Sequence, residues 1–407
     1  MKRRDILLGA SALTLGNALT GCTRSLSDLR VELLKNSVPV QMLNQFRRSL
    51  SDKSVLEFIP QSQLQDLYRV LQGFQPQSPG NSRNSSASNG KNSGQSDSSW
   101  LRFNPFNRGS NATTAPVADL VMIGDYWLTV AIQQGLIQSL DLALLSQWSR
   151  LPAQWQALVQ RNNQGQLDSN GAIWGAPYRW GTTVIAYRTD QFERMGWEPQ
   201  DWSDLWRMEL RDRISLLDQP REVIGLTLRK LGHSYNTADL TAIDRLETEL
   251  QQLHQNVKLY DSTTYLKPLT LGDTWLAVGW STDLSPEVQH QYGLKVVVPR
   301  SGTRLWTDLW VRPKSALPAS EAKLAAAWID FCWQPEVAAQ LGGLTGASSP
   351  IALQMNPQDL PVGLSRDPVL MPDPQIIDQS EFLYPLSESA LDQYQSLWVR
   401  IRSQTRN

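Results

Sequence analysis

The first feature of this chain that could do chemistry is an acid at a strand-to-helix turn. Leu216-Leu217-Asp218-Gln219-Pro220-Arg221-Glu222-Val223 continues an apolar run that begins at Ile214. Pro220 suits the first helical position, where its missing N–H is not needed. Glu222 then falls in the first helical turn, where the positive end of the helix dipole favours a carboxylate. Ile224, Leu228 and Leu231 recur at helical spacing, and Gly232 is a C-terminal stop. A second stretch repeats the arrangement. Ala118 to Ile123 reads as a buried strand, Gly124-Asp125-Tyr126-Trp127 as a turn with a polar and aromatic tip, and Leu128 to about Gln134 as a helix. Such turns sit at the sheet edge where open α/β proteins bind ligands. An ionised carboxylate there can pair a cation, and two among aromatic rings can cleave a sugar. The same residues also serve as an ordinary capping acid and packed rings.

Other chemistries lack their signatures. There is no glycine-rich phosphate loop, no G-x-S-x-G and no CxxC. His233, His254 and His290 have no metal-ligand spacing and read as structural or solvent-facing. The formal net charge is −1; without residues 1–21 it is −3, from 35 basic and 38 acidic residues. That is no footprint for nucleic acid or an anionic membrane. Sixteen tryptophans are the unusual count; most suit core positions, and some suit a cleft wall.

Strands alternating with helices across 407 residues predict an α/β protein of about two domains. Leu29 to Leu34 alternates as a strand, Val40 to Leu50 reads as a helix, and Ser54 to Ile59 as the next strand. Trp180 to Tyr187 is a further strand, and Ala319 to Trp333 and Ala390 to Ile401 are amphipathic helices. Pro76 to Ser99 is mainly Ser, Asn, Gly, Gln and Pro, a composition that cannot offset its ordering entropy and reads as a disordered insert. Lys2-Arg3-Arg4, the apolar run Ile6 to Leu19 and Leu19-Thr20-Gly21-Cys22 resemble an export signal with a lipobox, and Arg3-Arg4 also resembles a twin-arginine signal. Cys22 is then the lipid-bearing residue, and Cys332, in an apolar helical run, a buried thiol with no disulfide.

Several motifs occur together in order: Ala118 to Trp127, Gly175-Ala176-Pro177-Tyr178-Arg179-Trp180-Gly181-Thr182-Thr183, the Asp218 to Asn236 stretch, and Leu305-Trp306-Thr307-Asp308. From about Leu29 to the C-terminus, apart from the insert, the chain resembles the spermidine/putrescine-binding proteins, periplasmic receptors of polyamine ABC transporters. The resemblance implies a two-lobed periplasmic-binding-protein fold of type II, each lobe a mostly parallel sheet flanked by helices, with two hinge crossovers. It implies lobe 1 at 29–184 plus 308–348 and lobe 2 at 185–307 plus 349–407, after an export signal at 1–21 and a tether at 22–28. It implies an exported, lipid-anchored monomer in the periplasm that docks on an ABC permease, with no cofactor, no metal and no catalysis.

In such a receptor carboxylates pair the ammonium groups and aromatic faces cover the methylenes. By resemblance the ligand residues are Tyr126, Glu222, Trp280, Trp306 and Asp308, joined by Asp125 and Gln219. Gln219 stands where the family has an aspartate, Asn36 or Ser37 where it has a tryptophan, Ala347 where it has a tyrosine, and Leu383 where it has a glutamine. A polyamine such as putrescine or spermidine is the expected ligand, with the missing charge supplied by Asp125, Asp218 or Asp283. The alternatives are a different solute on the same fold, a thiamine-like cation or an amino-acid derivative, and a glycan-acting enzyme.

Overall fold

A computed structural model describes residues 27–51, 53–74, 117–284, 286–316 and 322–404. The export signal, Cys22 and the 76–99 insert lie outside the described residues.

The strands at Leu29–Leu34, Leu56–Gln61 and Leu120–Gly124 pair parallel, joined across helices such as Val40–Ser49 and Leu64–Gly73. This is the expected βαβ start. At the far side Ile214–Leu216 pairs parallel with Val257–Tyr260 and with Leu276–Trp280. Between these parallel groups run two long strands, Ala176–Arg188 and Arg304–Pro313, which pair antiparallel with each other. The sheet order is therefore 56–61, 29–34, 120–124, 304–313, 176–188, 276–280, 214–216, 257–260. Each half is mostly parallel, and both crossover strands run against their neighbours.

The division into two bodies shows in the packing. One apolar cluster holds Leu29 through Trp180, Leu305 through Ile351, and Phe382. Another draws on residues between Ile185 and Val278 and on the C-terminal helix Glu388–Arg402, with Leu383, Tyr394 and Trp398 among its members. The long strand Ala176–Arg188 changes core within four residues: Trp180 packs in the first body and Val184 in a third cluster beside the second. Ile351 stays with the first core, so the chain beyond Ser348, expected in lobe 2, first packs against lobe 1. Val369 and Ile376 then pack against the third cluster beside the second body, and from Leu383 the chain is in the second core.

Cys332 is buried within the helix Lys323–Cys332, as its apolar surroundings predict. His254 is buried against Tyr260, so it is a structural histidine and not a solvent-facing one. No helix among the described residues is long and apolar enough to cross a membrane.

Candidate functional site

The two crossover strands build the site on one shared face. Side chains alternate along a strand, so Arg304, Trp306 and Asp308 point one way. Their partners on the neighbouring strand fall on the same face: Asp308 lies opposite Arg179, and Trp306 opposite Gly181. The register shifts between Asp308 and Leu309; bulges of this kind re-aim side chains beside functional sites. Gly181 is required there. A Cβ on it would lie 2.3 Å from the Trp306 ring and 2.4 Å from the Ser281 hydroxyl. The Trp306 indole lies across the glycine and donates its N–H to the Thr182 carbonyl at 3.2 Å.

Each body adds one strand-to-helix tip to this face. From the first, the strand Leu120–Gly124 ends opposite Asp308 and runs into the short helical turn Asp125–Trp127. Asp125 is 5% exposed and Tyr126 beside it 45% exposed. From the second, Pro220 opens the helix Pro220–Lys230 and Glu222 occupies its first turn, 1% exposed. Gln219 is the half-buried residue before the helix, and its side chain does not cap it. Trp280 ends its strand opposite Thr183; its ring meets Tyr265 edge-on at 6.2 Å. The seven residues expected at the ligand site thus come from both bodies and gather around the crossovers.

The structure corrects how the acids are used. Asp308 accepts from Arg179 Nε at 2.6 Å, and both side chains are buried. Glu222 is paired by Arg304 Nη1 and accepts from the Thr183 hydroxyl at 3.2 Å. Arg304 Nη2 also lies 3.6 Å from Asp125, so one buried guanidinium joins an acid of the first body to an acid of the second. Burial opposes the charge of Arg304, but Glu222 and Asp125 outweigh it, and its pKa rises above the usual guanidinium value. Burial likewise opposes the charge of Arg179, and Asp308 outweighs it. Asp125 is less well compensated. Its Oδ1 has only the long contact to Arg304 and the Thr307 amide at 3.5 Å, and its Oδ2 has no partner. Burial pushes its pKa up to about 6, against the pull of Arg304.

Of the three acids expected to replace the missing aspartate, Asp125 keeps a buried oxygen with no partner at the site. Asp283 accepts from the Tyr265 hydroxyl at 2.7 Å. Asp218 is exposed and pairs with Arg402 at 2.5 Å, so it is not a site acid. Ala347 and Leu383 are buried in packing. Among the described residues, no three His, Cys, Asp or Glu side chains group as a metal site.

Sequence reasoning missed Arg179, Arg304 and Thr183. Their signal was present: Tyr178-Arg179-Trp180 and Arg304-Leu305-Trp306 set an arginine inside an apolar strand. Arginine is almost never fully buried unless paired, so an acid opposite each was to be expected.

A family model for bacterial extracellular solute-binding proteins matches residues 115–380. The spermidine/putrescine-binding periplasmic protein of Salmonella typhimurium is 29% identical over 65% of this chain and 72% of its own length. The putrescine/cadaverine-binding protein of Pseudomonas aeruginosa is 28% identical over 54% of this chain and 63% of its own. Among solved structures, the spermidine/putrescine ABC transporter substrate-binding protein PotD of Streptococcus pneumoniae superposes with a TM-score of 0.69 at 20% identity. It covers 92% of this chain and 98% of its own. That likeness shows the fold, a two-lobed periplasmic binding protein.

Proposed function

The chain belongs to the bacterial extracellular solute-binding proteins, and from that premise we propose that it captures an organic amine of the polyamine type between its lobes for an ABC importer. The observation that carries the reading is the convergence of Asp125 and Tyr126 from one body with Glu222, Gln219 and Trp280 from the other, over Trp306 and Asp308 of the crossover. A ligand seated there touches both bodies at once, which is what a hinged receptor needs to register capture. Tyr126 offers a partly exposed ring beside a buried acid, and Trp280 a half-buried indole. Those are the components of amine recognition: charge from a carboxylate and cover from an aromatic face. The names of the Salmonella and Pseudomonas relatives point to the same ligand class.

The protein binds and releases; it is not an enzyme. In this reading it works as a periplasmic monomer, held to the membrane by lipid on Cys22 and delivering its solute to a permease. Calorimetric titration of the chain from Ser27 onward with putrescine, cadaverine, spermidine and N-acetylputrescine tests the ligand class. Saturable heat with at least one of them, lost in Tyr126→Ala, supports it. Silence with all four from a folded protein refutes it.

A further inference from the structure

We propose that Arg304 and Arg179 are specificity-determining residues that act as built-in cations, so that the cleft takes a solute with one ammonium group and a hydrogen-bond acceptor at its other end. The class is an alkyl monoamine of the amino-acid or acylated-diamine kind, as opposed to a dication or trication. This rests on the reading of the cleft as an amine site and narrows it.

The acids of the cleft differ in which of their lone pairs are already taken. A dication needs two separated carboxylates with free oxygens. Glu222 has Oε1 on Arg304 and Oε2 on Thr183. Asp308 has Oδ2 on Arg179, and Asp283 has Oδ2 on Tyr265. Each of these acids already has a donor from its own chain, and the two on the crossover face have a full guanidinium charge. Asp125 is different: it is buried, and its Oδ2 has no partner. A buried carboxylate oxygen left without any donor serves one ammonium, and the charges of Glu222 and Asp308 are already met by Arg304 and Arg179.

The donors show the complementary opening. Arg304 is 4% exposed, and its Nε–H has no acceptor, while Nη1 is held by Glu222 and Nη2 lies 3.6 Å from Asp125. A ligand whose far end carries a carboxylate or an amide carbonyl offers an acceptor to that donor. A second ammonium offers only donors and would meet Arg304 as a like charge. An unpaired buried donor and an unpaired buried acceptor in one cluster are each costly, and a solute with one end of each kind can satisfy both.

The test uses three ligands that share a four-carbon chain and one amine and differ at the other end: putrescine, 4-aminobutanoate and N-acetylputrescine. Calorimetry on the wild-type chain is expected to show one of the two monoamines binding at least tenfold more tightly than putrescine. Arg304→Met frees Glu222 and is expected to improve putrescine binding at least tenfold; Arg304→Lys, which keeps the charge, is expected not to. Wild-type protein that binds putrescine as tightly as either monoamine overturns the inference and leaves the amine-receptor reading standing. Failure of all three ligands and of spermidine, in folded wild-type protein, overturns both. If Arg304→Met does not fold, the wild-type ranking decides alone.

Discussion

Replacing Arg304 with methionine removes the guanidinium that Glu222 and Asp125 share. Glu222 is then a buried carboxylate left with the Thr183 hydroxyl. Breaking a buried ion pair by deleting one partner costs about 3–5 kcal/mol. Two features reduce that here: the Thr183 hydrogen bond, worth about 1 kcal/mol or somewhat more to a charged group, and the helix start, worth about 0.5–1 kcal/mol to an acid in its first turn. The expected loss is therefore about 2–4 kcal/mol. In Arg304→Met with Glu222→Leu both charges of that pair are gone and the volume is apolar, a replacement that is often neutral, while Asp125 is without its guanidinium in the single and the double variant alike. The double variant should be more stable than Arg304→Met alone. Urea unfolding, followed by tryptophan emission and by far-ultraviolet circular dichroism, measures this if the two probes coincide. Additive losses, with the double variant weaker than either single one, would refute the claim that Arg304 and Glu222 form a buried ion pair.

Asp125 gives a pH signature. Its folded pKa of about 6 lies above its unfolded value, so the folded state binds the extra proton between about pH 4 and pH 6. Its contribution to stability is full below that window and is lost as the pH rises through it. Asp125→Asn should match wild type at pH 4 and exceed it at pH 7 by up to about 3 kcal/mol, since each pKa unit is worth about 1.4 kcal/mol; a constant difference across the range contradicts this. Gly181→Ala places a Cβ 2.3 Å from the Trp306 ring. It should cost about 1–3 kcal/mol as overpacking and shift the near-ultraviolet tryptophan signal, and an unchanged spectrum counts against the packing described. Tyr126→Ala should weaken amine binding by about 0.5–2 kcal/mol, the range of a cation–π contact, while leaving the melting temperature nearly unchanged because Tyr126 is 45% exposed.

Much of the architecture was legible because its signals are local. Pro220 opens its helix as the sequence implies, and Gly232 takes the left-handed conformation, φ +81°, just beyond its end. The strand Leu29–Leu34 is found where alternation puts it, and the strand near Leu56 begins and ends two residues later than expected. The extent of the first crossover was underestimated. Trp180 to Tyr187 became Ala176–Arg188 because pairing with Arg304–Pro313 extends it backwards. Such partners lie over a hundred residues away, and propensity does not see them.

The candidate acids were legible as neighbours and not in how they pair. Asp125, Glu222 and Asp308 were singled out as a group and lie around the same crossovers, but an acid's availability depends on what stands opposite it across a sheet. Arg179 meets Asp308 through strand register, and Arg304 meets Glu222 because a helix start is brought over the crossover. Neither follows from spacing. The same holds for Asp218, four residues before Glu222 and yet drawn to Arg402 on the C-terminal helix.

Hydrogen exchange read by mass spectrometry, with and without the tightest-binding amine, tests capture between the lobes most directly. The account predicts slower exchange at three separate places, the 123–128 tip, the 219–223 helix start and the 304–308 crossover segment, with the surface around Arg402 unchanged. Protection confined to one body, or lying away from the crossover strands, would contradict it.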